Sequence, residues 1–384
     1  MTPATPPTTS SRRSRPPSRT PNTDRCCENS SAIPRMCSTP SNTRAILLHS
    51  EVISQRHPAS APIVRRCFVR ATGHRIVLGL AATVFASAMV GSTAPRANAD
   101  AYVERVYTNP AGTRHYYLHL PPGDVAHKPL MIFLPGCIDP VEENRPAVLP
   151  LIPQSDRMGF VLAYPLQDQA ANPGWCWNPW NPDDNQRDRG EPSIIAGITT
   201  SLIDEFKLDK ARVYIGGYSA GGAMTTVMAA AYPDLYAAMA PMAATPYRLT
   251  GDGEAIVSEM GPRARAVPGF FMQNLFDEAS IYPVGRVNLS QWLQADNLAD
   301  PGSVPPQPTS TQLIGPPQGI PIPTVVEHYQ SPAGCEMAQF WTLTLSEHQI
   351  GALLVQQPWG DQMRDDMMNF LLSHSMTQPH RSCG

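Results

Sequence analysis

One serine in this chain stands where a hydroxyl can act as a nucleophile. Residues 213–223 read VYIGGYSAGGA, with Ser219 at the centre of Gly217-Tyr218-Ser219-Ala220-Gly221. A β-branched and aromatic run leads directly in, and an Ala-rich helical run leads directly out. That strand–turn–helix context presents a serine on a sharp turn, where small neighbours let a carbonyl carbon approach. The start of the following helix favours developing negative charge. The bare glycine-x-serine-x-glycine pattern is common, and a glycine-rich β–α turn also binds phosphate or merely turns the chain. The flanking elements make nucleophilic chemistry the favoured reading.

A serine hydroxyl is weak until a base takes its proton, and the base needs a carboxylate to orient it. On a turn of this kind the chain order is serine, acid, histidine. Asp277 closes the apolar run PGFFMQNLFD, and Glu278 beside it is the alternative acid. His348, in SEHQIG, follows the strand-like run QFWTLTLS and is the expected base. His328 in VVEHYQ competes with it. His374 falls on a helical run and His380 in the tail, while His115 and His119 read as surface residues of a hairpin. An oxyanion needs two backbone N–H donors. Ala220, directly after the nucleophile, is one; Cys137, in the loop after PLMIFLPG, is the other, since Pro135 has no N–H. No zinc, Cys-x-x-Cys or phosphate-loop pattern occurs, so no cofactor or metal is expected.

Elements to carry these residues alternate along the chain. Residues 102–108 and 114–121 read as an opening hairpin. Short apolar runs at 129–136, 159–165, 211–217, 237–244, 268–277 and 339–346 read as strands, mostly of a buried parallel sheet. Helical spacing covers 191–209, 220–233 and 361–374. Strands alternating with helices predict an α/β fold with a mostly parallel sheet covered on both faces. Residues 301–323, PGSVPPQPTSTQLIGPPQGIPIP, carry so much proline that a loop is expected throughout.

The first hundred residues are different. Residues 1–70, rich in Pro, Ser, Thr and Arg, read as a disordered leader, with true initiation expected further on, at Met36 or Val69. Residues 71–99 read as a signal peptide: a basic flank, the apolar run 76–91, and Ala97-Asn98-Ala99 with cleavage after Ala99. The run is shorter than the roughly 20 apolar residues of a spanning helix, so no stable membrane insertion is expected after cleavage. Residues 1–99 hold 13 of the 29 basic and 3 of the 32 acidic residues, which leaves 16 basic and 29 acidic, a net of −13, for residues 100–384. An acidic domain repels phosphate backbones, so no nucleic acid is expected as a partner. That domain, 100–384, keeps Cys137, Cys176, Cys335 and Cys383; an even count in an exported chain favours disulfides, with three pairings open.

The stretches LPGC (134–137), GWCWNPW, NQRDRGEPSIIAGI, ARVYIGGYSAGGAM and AAAYPDLYAAMAPMAA closely resemble secreted polyhydroxybutyrate depolymerases and the related feruloyl and acetylxylan esterases. The resemblance runs from about residue 115 to 373 and is densest over 129–244. It implies an α/β-hydrolase fold and hydrolysis of small-molecule or oligomeric esters through an acyl-enzyme. It also implies a Cys137–Cys176 bridge, which leaves Cys335 with Cys383. The departures fall on the site: Pro135 stands in place of the family's histidine, Gln273-Asn274 in place of its His-Gly, and Gln349-Ile350 after His348 in place of Ala-Trp. Counted back from Pro283, the family register puts the acid at Glu278. The expected substrate is a soluble or short-chain ester rather than crystalline polymer. Peptidase or acyltransferase chemistry on the same scaffold, or a non-catalytic binding protein, are the alternatives. The tryptophan stretch 174–185 reads equally as a pocket wall or as a disulfide-pinned structural loop.

Overall fold

Alternate residues of the most apolar strand face opposite layers. In β3 (Leu130–Leu134) every side chain is buried. Leu130, Ile132 and Leu134 join one apolar cluster, and Met131 and Phe133 join another. A strand can bury both faces only if helices cover both sides of its sheet. The computed structural model describes residues 102–138, 149–315, 324–346, 348 and 359–377. The leader and signal segments, with the cleavage position after Ala99, lie outside the described residues, as do His380 and Cys383.

The elements run β1 (Val103–Asn109), β2 (Gly112–His119), β3, α1 (Ile152–Met158), β4 (Val161–Pro165), α2 (Gly190–Phe206), β5 (Val213–Tyr218), α3 (Ala220–Ala231), β6 (Ala238–Met242), α4 (Gly253–Met260), β7 (Gly269–Phe276), α5 (Tyr282–Ala299), β8 (Ser310–Ile314), β9 (Thr324–Gln330), β10 (Glu336–Ser346) and α6 (Trp359–Leu372). They form a ten-stranded sheet in the order β1-β2-β4-β3-β5-β6-β7-β10-β9-β8. The centre, from β4 to β10, is parallel throughout; the hairpins β1–β2 and β8–β9 extend it antiparallel at either edge. This is the α/β-hydrolase arrangement.

One layer holds α2, α3 and α5, through Ile194, Ile198, Met224, Met228, Leu289 and Trp292. The other holds α6, through Met363, Met367 and Phe370, against Phe133, Tyr214 and Phe270. Each such side chain, fully buried, contributes about 1.5–3 kcal/mol. Among the described residues no helix is long and apolar enough to cross a membrane.

Three expectations need correction. Residues 301–323 are not loop throughout: STQLI, five residues free of proline, forms β8 on the sheet edge, paired from Ser310↔His328 to Ile314↔Thr324. Proline excludes strand only where it sits, and the prolines flank this segment. His119 is not a surface residue: it is 6% exposed, with Nε2 2.8 Å from Asp156 Oδ1. It is the last residue of β2, which pairs with β4 and carries buried residues on both faces. Helices α1, α4 and α5 have no counterpart in the sequence expectation. In α5 the stripe of Leu289, Trp292, Leu293 and Asp296 has helical spacing, but a polar face dilutes it.

Asp296 in that stripe is 2% exposed and accepts a 2.9 Å hydrogen bond from Val267 N–H, tying α5 to the entry of β7. Burial pushes its carboxyl up to about 8, against the lowering effect of the Val267 N–H and Arg265, while Asp300 adds to the rise. A carboxyl raised on folding contributes stability that is complete at acid pH, below its unfolded pKa of about 4. That contribution is lost as pH rises towards 8. Asp296→Asn keeps an acceptor for Val267 and removes the titration. Melting temperatures across pH 5 to 8.5 are expected to fall more steeply for the wild type than for the variant; parallel curves would contradict this account.

Candidate active site

The parallel strands deliver three side chains to one edge of the sheet. Ser219 follows β5, Asp277 follows β7, and His348 lies two residues beyond β10. β7 and β10 are paired neighbours, with Phe276 opposite Ser346, so the residues just after them emerge side by side. Ser219 Oγ lies 2.7 Å from His348 Nε2. His348 Nδ1 lies 2.9 Å from both Asp277 oxygens. A carboxylate only accepts, so Nδ1 carries the proton and Nε2 is left to accept from the serine hydroxyl. The Asp277 side chain is fully buried, whereas the imidazole is 29% exposed. The carboxylate is therefore shielded from water, while the imidazole is reached from solvent.

Asp277 owes its placement to a turn. Its Oδ1 accepts from Ala279 N–H at 2.9 Å and Ser280 N–H at 2.7 Å, which folds the carboxylate back into the protein. Glu278 is exposed. The other histidines stand elsewhere. His328 pairs with Glu336 within the β9–β10 hairpin, and His115 pairs with Glu104 on the opening hairpin. His374 is buried, its ring nitrogens against the carbonyls of Phe370 and Glu336, and burial lowers its pKa.

The serine turn is tight. Ser219 has φ 55 and ψ −126, a region that side chains rarely adopt and that clusters at functional sites. It is held by Ser219 N–H donating to Met242 O at 2.9 Å and by Ala223 N–H donating back to Ser219 O at 2.9 Å. The end of β3 passes almost in contact: a Cβ on Gly221 would lie 2.1 Å from Leu134 O and 2.3 Å from Pro135 O. A Cβ on Gly136 would lie 2.8 Å from the Tyr218 ring and 3.0 Å from Ser219 Cβ. Gly136 N–H is taken by the Tyr218 hydroxyl, whose pKa burial pushes up to about 12. Ala220, first residue of α3, has an N–H with no intrahelical acceptor.

Cys137 is bridged to Cys176, with Cα atoms 4.1 Å apart. The bridge ties the loop after β3 to the tryptophan stretch. Cys335 is also disulfide-bonded, and Cys383 lies outside the described residues. In the tryptophan stretch Trp177 is wholly buried core, while Trp180 is 47% exposed and donates to Thr245 Oγ1 at 3.2 Å. Trp180, Pro182, Arg248 and Leu249 line a groove of about 340 Å³. Glu191, not singled out from the sequence, is what holds this stretch. Its buried carboxylate accepts from Asn178 N–H, Asn178 Nδ2, Gln167 Nε2 and Arg114 Nη2, and burial raises its pKa. Nothing in the sequence marked it, since an acidic residue at a helix start reads as an ordinary first-turn residue. No group of metal-ligating residues occurs among the described residues.

The family model described as Esterase PHB depolymerase matches residues 114–268. Poly(3-hydroxyalkanoate) depolymerase C of Paucimonas lemoignei is 33% identical over 161 residues, 42% of this chain and 38% of that protein. A probable acetylxylan esterase A of Aspergillus fumigatus is 30% identical over 133 residues, 34% of each chain. Feruloyl esterase B of Thermothelomyces thermophilus is 35% identical over 85 residues, 22% of this chain and 28% of that one. The chain thus matches well under half the length of these relatives. In three dimensions, an acetyl xylan esterase from Aspergillus awamori superposes with a TM-score of 0.52 at 18% identity, over 70% of this chain and 98% of that one, which establishes the shared fold.

Gly221→Ala sets a methyl group against two backbone carbonyls that cannot move aside. The expected cost is about 3 kcal/mol, the upper end for over-packing. It is read as a lowered midpoint of urea unfolding; an unchanged midpoint would refute the close approach of β3 to the serine turn.

Proposed function

Since residues 114–268 fall in the Esterase PHB depolymerase family, we propose that this chain is a serine carboxylic ester hydrolase working through an acyl-enzyme. The observation that supports it most is the unbroken relay from Ser219 Oγ, 2.7 Å to His348 Nε2, and from His348 Nδ1, 2.9 Å to Asp277. In that relay each donor meets an acceptor. Ser219 Oγ attacks the ester carbonyl carbon as its proton passes to His348 Nε2. Asp277 holds the ring in the productive tautomer and stabilises the imidazolium. The carbonyl oxygen, now an oxyanion, accepts from the N–H groups of Ala220 and Cys137. Collapse breaks the ester C–O bond, and His348 returns its proton to the leaving alcohol. Water then enters by the same route and releases the acid.

The substrate class is read from the named relatives, a poly(3-hydroxyalkanoate) depolymerase, an acetylxylan esterase and a feruloyl esterase. They support a short-chain or soluble oligomeric ester of acetyl, feruloyl or hydroxyalkanoate type, reached through the partly open imidazole. Export through the signal-like segment 71–99 is part of the same proposal, and the Cys137–Cys176 disulfide fits an oxidising compartment. The net charge of −13 over residues 100–384 argues against nucleic acid as a partner.

Purified protein is expected to hydrolyse p-nitrophenyl acetate and butyrate and to be labelled by a fluorophosphonate probe. Ser219→Ala is expected to lower kcat by at least about 10⁴ and to abolish labelling. Equal turnover by the two proteins would remove the mechanism.

A further inference from the structure

We propose that Gln273 is a positioning residue for the Asp277 carboxylate, a role that rests on the triad reading above. Gln273 lies on β7, four residues before the acid, and is wholly buried. Its Nε2 donates to Asp277 Oδ2 at 3.3 Å and to the backbone carbonyl of Ser280. Ser280 N–H in turn donates to Asp277 Oδ1. The amide therefore clasps the acid and the end of the turn that folds over it. Both atoms that Nε2 faces only accept, so the amide can sit only one way round.

Two local features oppose stability and are explained by this contact. The first is Gln273 Oε1, which is buried and has no hydrogen-bond partner among the described residues. An orphaned buried acceptor is unfavourable, and an apolar side chain of the same length would avoid it. The second is Gly285 in α5. Glycine inside a helix is unfavourable, yet a Cβ there would lie 2.6 Å from Gln273 Oε1 and 2.8 Å from its Cβ and Cγ. The helix is thinned where the glutamine lies beneath it. An amide retained under both conditions must do something that a methionine would not.

That function is control of the second carboxylate oxygen. Ala279 and Ser280 N–H both serve Oδ1. Apart from the imidazole, Gln273 Nε2 is the donor that Oδ2 meets among the described residues. The donor draws charge from Oδ2 and stops the carboxylate from turning, so both oxygens stay within reach of His348 Nδ1. Without it the carboxylate is more basic and less fixed. The imidazole then holds a proton to higher pH and presents Nε2 to Ser219 less often.

The test compares wild type, Gln273→Met and Gly285→Ala in hydrolysis of p-nitrophenyl acetate across pH, with Ser219→Ala as the control for the triad reading. Gln273→Met is expected to lower kcat roughly tenfold, about 1.4 kcal/mol of barrier, with KM unchanged. Its acid limb moves to higher pH, and its melting temperature changes little, because loss of the orphaned acceptor offsets loss of the amide's hydrogen bonds to Asp277 and Ser280. Gly285→Ala, which displaces the glutamine without touching the acid, is expected to reproduce the kcat loss and the shifted limb. Should Gln273→Met not fold, Gln273→Glu keeps the shape and donates only while protonated, so its profile must also depart from wild type. A Gln273 variant with kcat within twofold of wild type and an unmoved acid limb overturns the proposal. So does a melting temperature that falls in step with kcat. If Ser219→Ala keeps wild-type activity, the triad reading itself fails, and the assignment of Gln273 falls with it.

Discussion

The structure depends on one close backbone approach. The carbonyls of Leu134 and Pro135, at the end of β3, press against the turn between β5 and α3, with room for hydrogen but not for carbon at Gly221. Gly217 is similarly placed: a Cβ there would meet Leu134 O at 2.5 Å. The parallel pairing of β3 with β5, from Leu130↔Val213 to Leu134↔Gly217, brings these backbones together. Where they touch, the turn is tight, and Ser219 sits at a positive φ of 55°. Strain of this kind persists only where the surroundings over-determine it. Here they do, through Met242 O, Ala223 N–H and the wholly buried helix α3.

Around that contact the loops are fixed covalently or by buried charge. The Cys137–Cys176 bridge joins the loop after β3 to the tryptophan stretch. Glu191 then joins that stretch to β2 through Arg114 and to the segment after β4 through Gln167. The ion pair of Glu191 with Arg114 is almost wholly buried, with side chains 4% and 7% exposed. A buried pair of this sort adds less to stability than its Coulomb energy suggests, because both charges lose their water. What it provides is geometry, since each oxygen of the carboxylate is committed to named donors and the loop has one way to sit.

The acid side of the site follows a different logic from the serine side. The serine turn is held by backbone contact, whereas Asp277 is held by donors. That difference matters for change. A glycine at a contact of 2.1 Å admits no substitute, but a donor can be supplied by many residue types.

What was legible in the sequence was whatever local pattern encodes. Buried parallel strands show as short apolar runs, and β3, β4, β5, β6 and β7 read that way. The serine turn shows as glycines between a strand and a helix. The chain order of nucleophile, acid and base constrains the candidates without geometry. The tertiary structure decided everything that depends on distant partners. It separated Asp277 from Glu278, adjacent residues of like chemistry, by turning one carboxylate onto two backbone donors and leaving the other in solvent. It made β8 a strand by giving five residues an edge to pair with, and it buried His119 by ending β2 against β4. It gave Glu191 four donors drawn from three segments of the chain. Periodicity reports which face of an element is apolar, but a hydrogen bond between residues a hundred positions apart leaves no trace in the local pattern.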